Sequence, residues 1–339
     1  MRRLPETVLQ LAAPCLVLLG AAALAGRLSL TQQLEFETAL VMVAIVVALS
    51  VFVGNSGVIS FGHVSFVAVG AYVSGLLSID PQSKEFTLPS LLPFLKHAHV
   101  GVTGSLALGA AAGGIYALLV GLPLMRLSGL PAGIATFAVL GITYNVLRYW
   151  ERIGPGAQTL SLVPETGRWT IAAGGVIAVL AAFAYGRSRF GRRLRATRED
   201  ASAAQAFGIE IYRERLLAFT LSGALAGLAG GLLVHQLGSI TTEQVYLDLT
   251  FVTLAMLVVG GIGSLWGAVV GALAISALNS FLGDAENTVH VGFRLTLPNG
   301  TRLVTLGAVM ALVLILRPSG LTGGREFSLA RPRRSRARG

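Results

Sequence analysis

The residues best suited to contact a polar solute lie together in the segment 54–65, within an apolar run long enough to cross a membrane. The sequence Gly-Asn-Ser-Gly at 54–57 predicts a break in that run. Inside a membrane, such a break is tolerated only where protein or a water-filled cavity covers its backbone groups. His63 adds an ionisable side chain at membrane depth, and such a side chain indicates a functional role by default. These features predict a polar pathway near five residues: Asn55, Ser56, Ser60, His63 and Ser65.

A second interpretation is that the same side chains only hold helices together. Small residues such as Gly62, Gly70 and Gly75 suit the close packing of helices in lipid. Buried polar groups are generally hydrogen-bonded, so His63 fits a hydrogen-bonded histidine near the cytoplasmic interface better than a direct ligand of a solute. For the rest of the group, both interpretations stay open.

Several kinds of chemistry lack the residues that they need. The two lysines, Lys84 and Lys96, do not follow a glycine, so no Gly-Lys-Ser/Thr phosphate-binding loop can form. No Gly-x-Ser-x-Gly nucleophile motif is present. The single cysteine, Cys15, allows neither an intrachain disulfide nor a cysteine cluster around a metal, and the five histidines are scattered. We therefore expect no enzymatic activity, no metal site and no cofactor.

The elements that must position these residues are membrane helices. Hydrophobic residues make up 54% of the chain and charged residues 12%, against about 25% charged residues in an ordinary soluble domain. The mean hydropathy is +0.73. This composition predicts an all-α polytopic membrane protein with about ten transmembrane helices, some of them broken. The predicted spans are 8–26, 38–53, 58–79, 101–124, 132–149, 169–185, 216–235, 247–259, 265–282 and 301–316.

The first apolar run has two interpretations. It has features of a cleavable signal peptide, with two arginines before it and alanine-rich sequences near its end. It also approaches the length needed to cross the bilayer, which favours a retained span.

The distribution of arginine predicts the orientation. The arginine-rich segment 187–215 lies between spans six and seven, and loops of this kind stay in the cytoplasm. Counting from it puts both termini in the cytoplasm. We predict that residues 1–323 form the transmembrane domain and that the basic tail 324–339 is disordered. Topology explains the net charge of +10 better than nucleic-acid binding, because no basic stripe alternates with exposed aromatic residues.

The same segment predicts a short cytoplasmic helix. Thr197 and Asp200 have the spacing of a capping box, the alanines that follow favour a helix, and Gly208 is a natural stop. The predicted helix, 198–207, has one small and one charged face, so another protein could approach it closely. The alternative is a solvated loop without a partner.

Four separated blocks, in order, resemble the ABC-type branched-chain amino acid permeases of the LivM type. The first, 49–77, contains His63 among the family's glycines. The second, 190–217, resembles the family's cytoplasmic loop. The third, 260–271, reads GGIGSLWGAVVG, and the fourth, 317–321, reads RPSGL.

The resemblance implies a permease that forms half of the translocation pathway of an ATP-driven importer in the inner membrane. Its partners would be a second, LivH-like permease, two cytoplasmic ATPase subunits, an extracytoplasmic solute-binding protein and membrane lipid, but no nucleic acid. The short helix would then be the coupling helix. The residues implied in coupling to the ATPases are Arg198, Glu199, Asp200, Ala203, Ala204, Phe207 and Gly208.

Two alternative functions remain beside import of branched-chain amino acids. One is a same-family importer of urea or short amides. The other is an ion-coupled secondary transporter, which the scarcity of acidic residues within the spans disfavours. Glu243 and Asp248, near the outer end of span eight, are predicted to anchor that span at the interface rather than to carry protons.

Overall fold

The computed structural model describes residues 4–286, 289–291, 293–295, 301–317, 319–324 and 326. This part of the chain is built from α-helices and one short β-hairpin. The helices before the arginine-rich segment are α1 (Leu4–Ala25), α2 (Leu30–Ser56), α3 (His63–Ser78), α4 (Pro81–Thr87), α5 (Pro93–His97), α6 (Val102–Leu124), α7 (Leu130–Tyr149) and α8 (Arg168–Arg187). The later elements are α9 (Arg189–Glu199), α10 (Ala201–Ala206), α11 (Ile211–Leu237), a 3-10 turn (Glu243–Val245), α12 (Leu247–Gly260), α13 (Leu265–Glu286), β1 (Val289–Val291), β2 (Phe293–Leu295) and α14 (Thr301–Leu316).

Each of the ten predicted spans coincides with a helix, and the all-α membrane fold is confirmed. Eight helical stretches of the described chain are long and apolar enough to cross a membrane. The pair α3 and α4, bent by 113° to one another, gives a ninth if it counts as one span. The number is below ten because α3 and α14 have only 16 residues each, slightly fewer than the roughly 17 that a transmembrane helix needs.

The helix break predicted at 54–57 lies further along the chain. α2 runs through this segment to Ser56 and stops at Gly57, whose φ of +70° suits a glycine and whose N–H donates to the carbonyl of Val53 at 3.0 Å. The non-helical segment before α3 is therefore 57–62. A glycine and two small polar residues did not end the helix, because packing around α2 outweighs their weak intrinsic preferences.

Helices α2, α3, α6 and α11 form the centre of the bundle. In the apolar spans of α2 and α11, 78% and 72% of the residues are buried, against 22% in α1 and 33% in α7. The backbones of α3, α6 and α11 touch at glycines: a Cβ on Gly113 would lie 2.6 Å from the carbonyl oxygen of Gly223. Gly70 likewise meets the backbone of Gly227. Small residues therefore allow the close approach that their spacing indicated.

At one end of the bundle, contacts join chain segments that the predicted topology puts on the same side of the membrane. Arg198 donates to the carbonyl of Gly54 at 2.8 Å, and Gly54 lies against the backbone of Ile262 in the α12–α13 turn. Leu321 joins the same end through its N–H, which donates to the last turn of α12 at 2.8 Å. The arginine-rich segment and residues 319–324 are thus on one side, and which side faces the cytoplasm stays a prediction.

The β-hairpin was not predicted. β1 and β2 pair antiparallel, with Val291 opposite Phe293. The sequence carried a signal, because apolar and polar residues alternate between Val289 and Leu295 with the period of a strand. The hairpin is short and leaves the fold class unchanged.

Most of the tail 324–339, predicted to be disordered, lies outside the described residues. Within the described part, the Glu326 carboxylate accepts hydrogen bonds from the backbone N–H of Leu265 at 2.7 Å and of Trp266 at 3.2 Å. A carboxylate at this position accepts hydrogen bonds from free N–H groups in the first turn of α13, and its negative charge interacts favourably with the positive end of the helix dipole.

Candidate functional site

The predicted cytoplasmic helix is two helices rather than one. α9 ends at Glu199 and α10 begins after Asp200, which has an extended backbone (φ −150°) and accepts a hydrogen bond from the N–H of Ala203 at 3.0 Å. Thr197, predicted as the cap, instead donates to the carbonyl of Leu194 inside α9. Both residues can cap a helix, but Thr197 is buried within α9, so Asp200 provides the cap.

The capping bonds also act on the charge of Asp200. The backbone N–H of Ala203, and then the hydroxyl of Ser202, which donates at 2.9 Å, hold the pKa of the Asp200 carboxyl below its ordinary value. Both donors stabilise the ionised form. The start of α10 therefore keeps its negative charge at neutral pH.

The end of α10 confirms Gly208 as the stop. Gly208 has a φ of +77°, and its N–H donates to the carbonyl of Gln205 at 2.9 Å, while that of Ile209 donates to Ala204 at 3.1 Å. No atom beyond its chain neighbours lies within 4 Å of a Cβ built on Gly208. The need for glycine is therefore conformational rather than one of space.

α10 projects from the bundle with little of its surface covered. Among its residues only Ala204 is buried, while Ala203 is exposed and Phe207, directly after the helix, is 86% exposed. The neighbouring Glu199 and Asp200 are exposed as well. A large aromatic side chain beside small residues on a protruding element forms a surface suited to a protein partner.

α9 fastens this projection to the membrane helices. Arg195 donates to the side-chain oxygen of Asn55 at 2.9 Å and to the carbonyl of Gly186 at 2.6 Å. Partial burial lowers the pKa of the Arg195 guanidinium from its ordinary value, but arginine stays charged in proteins. Together with the bond from Arg198 to Gly54, these contacts tie α9 to the last turn of α2.

Of the five predicted pathway residues, the structure brings Ser60 and His63 into direct contact. The Nδ1 atom of His63 lies 2.8 Å from Ser60 Oγ, and its Nε2 atom lies 2.7 Å from Ser222 Oγ on α11. Ser222 donates its own proton to the carbonyl of Ala48 at 2.6 Å. Ser222 Oγ must therefore accept from Nε2–H, and Nδ1 accepts from Ser60.

The other three residues make separate contacts. Asn55 accepts from Arg195 and lines a cavity of about 310 Å³ at the end of α2. Ser56 accepts a hydrogen bond from the N–H of Val58 at 3.1 Å, and Ser65 donates to the backbone one turn before it. All five side chains are at least 91% buried. Their assignment to a pathway stays a prediction, and their bonding favours the packing interpretation.

A second buried histidine was missed by the sequence analysis. His235 on α11 donates from Nδ1 to the carbonyl of Pro164 at 2.7 Å, and its Nε2 lies 3.0 Å from Ser74 Oγ and 3.1 Å from Ser105 Oγ. It ties α11 to α3 and α6 as His63 ties α11 to α3 at the other end. The sequence did contain a signal for this contact, because serines within the predicted spans can form hydrogen bonds between helices.

Comparison with known proteins shows the family to which this chain belongs. Residues 34–314 match the family model described as "Branched-chain amino acid transport system / permease component". The chain belongs to this family. It is therefore an ABC-type permease and a multi-pass membrane protein, as its sequence blocks indicated.

Similar proteins differ in the solutes that their names give. The LivM permease of a high-affinity branched-chain amino acid transport system in Escherichia coli is 28% identical over 80% of this chain and 65% of its own length. A probable LivH permease of Methanocaldococcus jannaschii is 32% identical over 40% of this chain and 42% of its own length. The autoinducer 2 import permease LsrC of Klebsiella pneumoniae is 32% identical over 62% of this chain and 60% of its own length. No solved structure matches this chain.

Proposed function

We propose that this chain is one of two permease subunits of an ATP-driven importer whose cargo is a branched-chain amino acid. It forms half of the pathway with a LivH-like subunit in the inner membrane, with both termini in the cytoplasm. Two cytoplasmic ATPases drive it, and an extracytoplasmic binding protein delivers the solute. Family membership and similarity to LivM permeases support the proposed cargo. The observation that supports coupling to the ATPases is the protruding, capped α10 with the exposed Phe207 beside it.

Motion of α10 in this proposal acts on two of the four central helices, α2 and α11. α9 is fastened to the end of α2 by Arg195 and Arg198. On the other side, α10 is separated from α11 only by the segment 207–210. A displacement imposed by the ATPases therefore reaches α2 and α11 together, because neither connection is long enough to absorb it.

The coupling surface is tested by Phe207→Asp. A charge in place of the exposed ring is expected to prevent co-purification of the ATPase subunits and to lower leucine uptake at least tenfold, while membrane insertion stays normal. The matched control is Phe86→Asp, since Phe86 is 87% exposed on α4 at the opposite end of the bundle. Its ATPase subunits should co-purify as in the wild type. Normal ATPase binding and uptake in Phe207→Asp would reject the proposal.

The cargo and the energy source are tested in proteoliposomes that contain the complete transporter. Uptake of labelled leucine should require ATP and should be inhibited by unlabelled isoleucine and valine. Stronger inhibition by urea or acetamide would favour the short-amide alternative. Uptake that survives removal of ATP but collapses with the ion gradient would favour a secondary transporter.

A further inference from the structure

A groove between α2, α12 and α13 is separate from the pathway residues and from the coupling loop. Its volume is about 590 Å³, within the roughly 300–1,000 Å³ range of small-molecule sites. It is formed by the beginnings of α2 and α12 and the later part of α13, at the end of the bundle opposite the arginine-rich segment. In the proposed orientation it lies toward the outer face, where the solute arrives.

The polar part of the groove carries negative charge that no residue in the described part of the chain neutralises. Glu35 from α2 and Asp248 from α12 line it, and neither makes a hydrogen bond or ion pair with any residue that the structure describes. None of the described lining residues is basic. Two carboxylates to which the described residues offer no countercharge attract a cation.

A hydroxyl group in the same groove also lacks a partner among the described residues. Ser276 from α13 is 8% exposed, and its Oγ has no hydrogen-bond partner within the described chain. Thr250 and Thr253 on the adjacent α12, in contrast, each donate to a carbonyl one turn earlier at 2.8 Å. A buried hydroxyl without a partner is unfavourable, so a polar ligand group at this position would satisfy Ser276.

The rest of the lining decides between a metal ion and an organic cation. Within the described residues, no three His, Cys, Asp or Glu side chains are close enough to hold a metal. Leu34, Met42, Val252 and Met256 form an apolar wall beside the polar groups. The groove therefore matches a small molecule that combines a positive charge with an aliphatic body.

We propose that this groove binds the ammonium group and branched alkyl chain of the solute, with Glu35 and Asp248 contacting the ammonium and Ser276 acting as an additional hydrogen-bonding group. This inference rests on the proposed function, because an amino acid supplies both parts. It assigns to Asp248 a binding role where the sequence predicted only an interface anchor.

The test uses two probes with the same branched alkyl chain and opposite charge, isopentylamine and 4-methylpentanoate. Binding to the complete transporter in nanodiscs is measured by saturation-transfer NMR. The wild type should bind the amine at least tenfold more tightly than the acid. The double variant Glu35→Gln with Asp248→Asn should lose this preference. Ser276→Ala, which keeps both carboxylates, should weaken amine binding severalfold, and Glu85→Gln, outside the groove, should leave it unchanged.

The outcomes separate this inference from the proposed function. Amine binding that is no tighter than acid binding, or that persists in all groove variants, would reject the ammonium site even if leucine is transported. Loss of amine binding in the groove variants, in a transporter that does not import leucine, would support the site and reject the cargo.

Discussion

At the residue scale, two buried histidines connect the central helices by directional bonds. His63 bridges Ser60 and Ser222, and His235 bridges the carbonyl of Pro164 and two serines. Each ring nitrogen has a partner. Since helices in lipid gain little from hydrophobic burial against one another, such bonds help to specify which helices pack together.

The first prediction concerns His63. Replacing it with alanine, His63→Ala, leaves the buried Ser222 hydroxyl without its donor, so we expect a loss of about 1–3 kcal/mol of stability. Thermal unfolding of the detergent-solubilised protein measures this change. If the residue only supports packing, the KM for leucine uptake stays at the wild-type value in the protein that folds.

The control for this prediction is His97→Ala, since His97 is exposed on α5 in the opposite loop. Its unfolding temperature should match that of the wild type. A raised KM in His63→Ala with normal stability would contradict the packing interpretation and support a direct role in the pathway.

At the element scale, backbone contact between glycines sets how α6 and α11 cross. A Cβ on Gly227 would lie 3.0 Å from the Cα of Gly113 and 3.3 Å from that of Ala110. The neighbouring atoms are backbone atoms of α6, so they cannot move aside as a flexible side chain can. The helices must separate to admit even a methyl group.

The second prediction follows from this contact. Gly227→Ala should cost at least the ~1–3 kcal/mol typical of overpacking and should sharply lower the yield of folded protein. Gly141→Ala on α7 is the matched control, because nothing lies within 4 Å of a Cβ at Gly141. The control should be neutral or slightly stabilising, since alanine favours a helix more than glycine does. Equal yields of folded protein for the two variants would show that the contact does not limit packing.

At the scale of the whole molecule, the segments at one end of the bundle share one side of the membrane, and the segments at the other end share the opposite side. The third prediction is therefore a labelling pattern. In a Cys15→Ser background, an impermeant maleimide should label Gln82→Cys in intact cells but Gln205→Cys only after permeabilisation. Both positions are exposed, on α4 and α10 respectively. Labelling of position 205 from outside would reverse the orientation and remove the proposed ATPase contact.

The sequence by itself determined the fold class, the order of the ten predicted spans along the chain, and the stop at Gly208 after α10. These features depend on apolar runs and on glycine, which act over neighbouring residues. It was wrong about the break at 54–57 and the cap at Thr197. The local preference for a helix break or a helix cap is worth only about 1 kcal/mol at each position, and the surrounding packing outweighs it.

Only the tertiary structure decided which polar side chains meet. His63 and Ser222 are 159 positions apart, and Glu35, Asp248 and Ser276 belong to three different helices. Periodicity shows that a residue is on a helix, but the rotation and crossing of two helices depend on side-chain contacts along their whole length. The groove and the histidine bridges are therefore products of helix packing.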